Sequence, residues 1–286
     1  MHGEENPLLL SSSIFVFLFS ILAGLIGSIL GIGGGMIVIP ILTLGMGVPI
    51  HIAIGAGLVS VITTSSGAAI AYVKDKISNI RLGMFLETAT TMGAVTGAFI
   101  GALVSPKTLY IVFGLLMAYS AYTMFKKRKT ELPKDVVEHP LAARLKLSSE
   151  YHDKLYGETI PYKVAGVYPA YGVMYIAGVL SGLLGIGSGS FKVLGMDIFM
   201  KLPMKVSSAT SNFMMGVTAA ASAGVYFARG DIDPLVAGPV GLGVLIGARV
   251  GTKVMERLKN KTVRYMFIPV LAYTAVEMLW KGWTLR

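Results

Sequence analysis

The sequence of 286 residues contains no cysteine. That excludes a disulfide frame, a thiolate metal site and cysteine nucleophiles. Charge is also scarce: 14% of the residues are Asp, Glu, Lys or Arg, against about a quarter in soluble domains. There are four histidines and none follows His152, so the second half has no general base for a serine hydrolase built on Ser188 and Ser190. Histidines and carboxylates are too few for a metal cluster. A G-x-x-x-x-G-K-[ST] phosphate loop is absent, and Gly31 to Met36 lacks the strand–turn–helix setting of a dinucleotide site. No cofactor and no metal is implied.

What is present is apolar. Hydrophobic types make up 54% of the chain, the mean hydropathy is +0.69 and there are 35 glycines. These values point to an all-α polytopic membrane protein rich in close helix contacts. A net charge of +10 would suggest nucleic acid in a soluble chain. Here the positive residues stand at the ends of apolar runs, so the partner they imply is the lipid bilayer and not nucleic acid.

Apolar stretches fall at roughly 14–30, 36–48, 52–73, 82–104, 108–125, 164–184, 190–200, 206–228, 235–255 and 263–280. A span needs about 20 such residues, so the second and seventh are too short; each is a tilted span or part of a broken helix. Residues 1–13 are predicted to be a tail and not a signal peptide, because His2, Glu4 and Glu5 stand where basic residues are needed.

With all ten stretches crossing and the amino terminus outside, the inner zones hold Lys74, Lys76 and Arg81, nine basic residues from Lys126 to Lys163, Lys201 and Lys205, and five from Lys253 to Arg264. Only Lys107, Arg229, Lys281 and Arg286 remain outside. The positive-inside rule favours this arrangement and places the basic linker 126–163 in the cytoplasm.

The strongest pattern is an internal repeat at a constant offset of 154, from Gly31 to Gly185. Gly31-Ile-Gly-Gly-Gly35 overlies Gly185-Ile-Gly-Ser-Gly189, Pro49 overlies Pro203, Tyr72 overlies Tyr226, and Gly93-Ala94 overlies Gly247-Ala248. Repeats of about five segments each, 14–125 and 164–280, would lie upside down relative to one another, because the number of crossings in each is odd. Inverted-topology repeats with short or broken helices after matched glycine motifs are the mark of secondary transporters. The linker between them is predicted to hold a short interfacial helix around 141–155, and residues 281–286 form a carboxy-terminal tail.

Candidate site residues follow from this layout. Gly33, Gly34, Gly35, Gly187, Ser188 and Gly189 flank the short segments, where a helix starting after a break offers free N–H groups and the positive end of its dipole to an anion. Tight helix packing is the other reading of the same glycines. Lys192 lies within the seventh stretch, where an ammonium needs a partner or a task. It faces an anion, pairs with Asp197, or snorkels to the surface. Thr210, Ser211 and Asn212 can hydrogen-bond an oxyanion without adding charge, or bond helix to helix. Glu87 pairs with Arg81 or carries a coupling proton.

These residues resemble a known family. The run from Gly31 to Pro40 is similar to the G-x-G-G-G-x-x-x-x-P segment of the TauE/SafE sulfite exporter family, and Gly178 to Gly189 followed by Ala209 to Asn212 resembles its second-half counterpart. The resemblance covers about residues 14–280. It implies a permease of the inner or plasma membrane for small sulfur-containing anions such as sulfite, organosulfonates or thiosulfate. The sequence departs from the pattern at Ser188 (for glycine), Leu194 (for proline), Ala56-Gly57 and Lys192. The expectation is therefore a non-enzymatic permease working by alternating access around a midplane anion site, with H+ or Na+ as coupling ion if it imports. A passive anion channel and an intramembrane hydrolase are the alternatives. Neither the direction nor the oligomeric state is fixed by the sequence.

Overall fold

The computed structural model describes residues 7–126, 136–153, 157–258 and 260–284. All ten apolar stretches are helical. The first half comprises α1 (Pro7–Leu30), α2 (Gly35–Pro40) continued by a π-helical turn (Ile41–Gly45), α3 (Ile50–Lys74), α4 (Ile80–Leu103) and α5 (Pro106–Lys126). A linker carries α6 (Pro140–Arg144) and the hairpin β1 (Ser149–Asp153) and β2 (Glu158–Tyr162). The second half comprises α7 (Val167–Leu184), α8 (Gly189–Ile198), α9 (Met204–Ala228), α10 (Pro234–Arg257) and α11 (Asn260–Thr284).

The helix starts reflect matched local chemistry. Pro49 and Pro203 precede α3 and α9 with nearly the same backbone angles. Asn79 Oδ1 accepts from Leu82 N at 3.0 Å to cap α4, and Asp233 Oδ1 accepts from Leu235 N at 2.9 Å to cap α10. One local difference has a local cause. Pro40 lacks an N–H, and the helix after it loosens into the π turn; Leu194 at the matching position leaves α8 regular through Ile198.

The second and seventh stretches are half-length. The 11 residues 35–45 and the 10 of α8 rise only ~15 Å each, half of a ~30 Å hydrocarbon core. Gly34, just before α2, lies beside Ser60 and Thr64 at the middle of α3. The π turn ends near the last turn of α11, where Lys281 Nζ donates to Thr43 O. The first short segment thus runs from the middle of the molecule to one end, as the broken-helix reading expects.

Contacts between the halves come in exchanged pairs. α1 packs on α10 as α7 packs on α4, α3 packs on α10 as α9 packs on α4, and the pairs α3·α9 and α5·α11 are their own counterparts. These packings are close: a Cβ on Gly93 would fall on the carbonyl of Tyr175, and one on Gly247 on that of Ile21. The outer surface is apolar, with Phe15, Leu22, Met92, Phe99, Phe227, Ile246 and Trp280 exposed, whereas Ser, Thr and Asn side chains are buried inside. That inside-out distribution suits a lipid solvent.

The linker corrects one expectation. Instead of a helix over 141–155, α6 ends at Arg144 and the chain enters an antiparallel hairpin with Ser149 opposite Tyr162 and Asp153 opposite Glu158. Lys146, at φ 51°, terminates the helical path. Tyr151 and Asp153 then point inward at alternate positions, a period of two that a helix cannot satisfy. The hairpin is seated on both halves: Asn79 Nδ2 donates to Leu147 O (2.7 Å) and Tyr162 Oη (3.0 Å), and Lys205 Nζ donates to Asp153 Oδ1 (2.8 Å).

Candidate functional site

The glycine clusters form two chain reversals that meet at the centre. Gly31, Gly33, Gly185 and Gly187 all have φ between 64° and 75°, left-handed angles open to glycine at little cost. Gly33 and Gly187 face the same two side chains. A Cβ on Gly33 would lie 3.0 Å from Val61 and 3.3 Å from Met215; one on Gly187 would lie 2.5 Å from Val61 and 3.4 Å from Met215. Val61 and Met215 are themselves related by the repeat offset. Gly35 abuts Gly185 O, and Gly189 abuts Gly31 O. The six turn residues singled out in the sequence are therefore one cluster.

Ser188 stands where the first half has Gly34. It adopts φ 46°, a left-handed angle that strains a residue with a Cβ. Its side chain is fully buried, and its hydroxyl has no hydrogen-bond partner among the described residues. The start of α8 has no side-chain cap. In the first half the matching space is filled differently: Gly34 N donates to Thr64 Oγ1 at 3.0 Å.

The polar run on α9 divides. Ser211 Oγ reaches Gly31 O (2.8 Å) and Gly189 O (3.3 Å), tying both reversals together. Asn212 Nδ2 donates to Ser28 O (2.9 Å) and Ser208 O (3.2 Å), and its Oδ1 is buried without a partner among the described residues. Thr210 is elsewhere; its Oγ1 accepts from Asn79 N at 3.0 Å and secures the turn between α3 and α4.

Lys192 and Glu87 come together. Lys192 is 0% exposed and Glu87 7%, and their charged groups are 3.8 Å apart. Thr218 Oγ1 sits between them, accepting from Lys192 Nζ (2.5 Å) and donating to Glu87 Oε1 (2.6 Å). Thr91 Oγ1 also donates to Glu87 Oε1 at 3.0 Å, while Oε2 accepts no hydrogen bond among the described residues. Arg81, the nearer cation in sequence, instead donates to Lys146 O at 3.3 Å. The pair joins α4 of one half to α8 of the other through α9, and Lys192 follows Ser188 by one turn, with Lys192 N bonded to Ser188 O.

Thr218 and Ser60 were missed in the sequence. One signal was available: Thr64 and Thr218 occupy the same register, three residues beyond Val61 and Met215. Ser60 Oγ is buried and unpartnered among the described residues. A separate cavity of about 540 Å³ lies between α1, α2, the π turn and α11, lined by Phe15, Phe19, Ile37, Leu44, Met46 and Tyr273. Its walls are mostly apolar and carry no charged side chain among the described residues.

The chain was compared with known proteins. The model of the family described as sulfite exporter TauE/SafE matches residues 16–278. The probable membrane transporter protein YunE of Bacillus subtilis (strain 168) is 25% identical over 280 residues, covering 95% of this chain and 98% of that protein. The probable membrane transporter protein of Xylella fastidiosa (strain 9a5c) is 25% identical over 267 residues (91% and 93%), and MJ0441 of Methanocaldococcus jannaschii is 25% identical over 273 residues (90% and 92%). No solved structure matches significantly.

Proposed function

We propose, from the premise that this chain belongs to the sulfite exporter TauE/SafE family and is a membrane transporter, that its cargo is a small sulfur-containing anion: sulfite, an organosulfonate or thiosulfate. The observation that supports this reading is the meeting of the two reversals at Gly33 and Gly187 beside a fully buried lysine. Backbone N–H groups at Gly33, Gly35 and Gly187 to Gly189 supply donors to the anion, while Gly34 N is held by Thr64 Oγ1 and shapes the first reversal. Ser188 Oγ adds a hydroxyl, Ser211 and Asn212 hold the reversals in place, and Lys192 supplies positive potential. Thr210 acts at a distance, through the turn it secures.

The exchanged contacts support a mechanism of alternating access. Two halves that are inverted copies can rock about a central site without changing their internal packing. The face that carries the linker is the basic one and is assigned to the cytoplasm of a plasma-membrane protein. The protein makes and breaks no covalent bond of its cargo.

The test is flux in proteoliposomes holding the purified protein, with sulfite, sulfate, thiosulfate and methanesulfonate as probes. Saturable uptake and counterflow of a labelled sulfur anion are expected. Unsaturated flux with unitary currents would make the protein a channel, and no flux of any of the four would overturn the reading.

A further inference from the structure

The Lys192–Thr218–Glu87 bridge has a property that the anion site alone does not require. A buried ammonium is matched by a buried carboxylate, so the empty centre is neutral. Isolated charges are strongly penalised at such depth. An incoming anion meets Lys192 only in competition with Glu87. Resting on the permease reading above, we propose that a proton is the co-transported ion: it binds Glu87, releases Lys192 to the anion, and makes this protein an electroneutral carrier of one proton with one monovalent anion.

The charge balance is closed at each step. With Glu87 ionised and Lys192 protonated, the empty centre has no net charge. A proton adds to Glu87 Oε2, the oxygen that accepts no hydrogen bond among the described residues, and gives a neutral carboxylic acid. The anion then pairs with Lys192, and the loaded centre is again neutral. Each half-loaded state is charged: anion without proton leaves one negative charge, and proton without anion leaves one positive charge. Both are disfavoured by burial, and that penalty enforces the coupling. A dianion leaves a residual negative charge even with Glu87 protonated, so monoanions such as sulfonates or hydrogensulfite are favoured over sulfate.

The bridge also links occupancy to movement. Glu87 stands on α4 in the first half, Lys192 on α8 in the second, and Thr218 on α9 completes the connection. Protonation removes the charge attraction that ties α8 to α4. The repeat does not duplicate this bridge, because the matching positions are Val38, Gly241 and Thr64. The other titratable and charged groups on the neighbouring elements are engaged or placed elsewhere. On α7, Tyr171 Oη meets Thr88 Oγ1 at 2.9 Å, and Tyr168 and Tyr175 are exposed. On α9, Lys205 pairs with Asp153 and Arg229 with Asp231 at opposite ends. On α4, Arg81 bonds to Lys146 O, and on α8, Asp197 lies five residues beyond Lys192.

The experiment uses the full chain in vesicles that trap a pH-sensitive dye, with a gradient of methanesulfonate, which is a monoanion at every accessible pH. The expected result is lumenal acidification in step with methanesulfonate uptake, one proton per anion, at a rate that does not change when a potassium–valinomycin clamp sets the voltage. Glu87→Gln, which mimics the protonated acid, is expected to lose the acidification and shift the remaining flux to one that follows voltage. Anion uptake without acidification in the unaltered protein would sink the coupling and leave the permease reading standing. Acidification that persists in Glu87→Gln would remove Glu87 as the proton site. The unaltered protein alone decides the stoichiometry if that variant does not insert. Absence of both methanesulfonate and sulfite flux would overturn this proposal together with the reading beneath it.

Discussion

Tyr72 and Tyr226 close the same bond in opposite halves. Tyr72 Oη donates to Ser28 O at 3.1 Å, and Tyr226 Oη donates to Gly182 O at 2.9 Å and Leu183 O at 3.1 Å. All three acceptors lie in the last turn of a helix that precedes a glycine reversal. The last carbonyls of a helix lack partners within it. A phenol from the neighbouring long helix supplies one, and a break inside an apolar protein becomes tolerable.

Removing either hydroxyl is therefore expected to loosen the reversal. Tyr226→Phe leaves two buried carbonyls short of a donor and is expected to destabilise the protein by ~1–3 kcal/mol. Tyr72→Phe is expected to do less, because Ser28 O keeps the Asn212 amide as a donor. Thermal unfolding of the detergent-solubilised protein, followed by loss of the monodisperse peak, measures both. Unfolding midpoints equal to the parent would show that the carbonyls find other partners.

A second expectation separates glycines that pack from glycines that do not. Gly247→Ala would place a methyl on Ile21 O in the α1–α10 contact, whereas nothing lies within 4 Å of a Cβ on Gly238 of the same helix. Gly247→Ala should lower folded yield sharply, and Gly238→Ala should be neutral or stabilising by ~0.5–1 kcal/mol from helix propensity. Comparable yields for the two would mean that α1 and α10 can separate at no cost.

The sequence made the helix pattern legible because the apolar runs and the 154-residue offset are local or periodic signals. The cluster of Gly33 and Gly187 was legible for the same reason. The partner of Lys192 was not. Glu87 is 105 residues away in sequence, and only the packing of α4 against α9 brings it near; nearness along the chain suggested Asp197 and Arg81 instead. Thr210 was misjudged in the same manner, since adjacent residues on a helix face directions about 100° apart and Thr210 points away from Ser211. The linker deceived through length: a helix of 15 residues and a hairpin need similar amounts of polar chain, and the alternation at Tyr151 and Asp153 is too short to stand out.

The seat of the hairpin depends on Lys205 and Asp153. Their side chains are 7% and 2% exposed and bonded at 2.8 Å. Breaking such a pair from one side strands the other charge and costs ~3–5 kcal/mol. Lys205→Ala is expected to speed hydrogen exchange at the β1–β2 amides far more than Lys201→Ala, whose target is exposed. Equal protection in the two variants would mean that the hairpin is held by Asn79 and the backbone alone.

Alkali should release the same hairpin. Burial pushes the Tyr162 phenol above its ordinary value of 10.0, while the Asn79 amide donating to its oxygen opposes the shift. The docked phenol therefore holds its proton when a detached one has lost it. Its contribution is fully present below pH 10 and fades as pH rises through the docked value. Tyr162→Phe should remove this dependence, which tyrosinate absorbance together with hairpin hydrogen exchange can follow. Docking in the parent that weakens below pH 10 would point to another group.

The proposed anion site rests on Lys192. Lys192→Met removes the ammonium and keeps an unbranched side chain of similar length, and the variant is expected to insert. Losing one charge-assisted hydrogen bond of ~1.5–3 kcal/mol corresponds to methanesulfonate binding weaker by ~10–100-fold. Asn212→Leu is expected to reduce transport more than Ser208→Ala. The amide holds Ser28 O and Ser208 O at the reversal, whereas Ser208 Oγ reaches only Ile29 O, at 3.2 Å. Calorimetric titration of the purified variants separates binding from flux. A Lys192→Met protein that binds methanesulfonate as tightly as the parent would take the lysine out of the site, and the helix starts at Gly34 and Ser188 would then have to hold the anion without it.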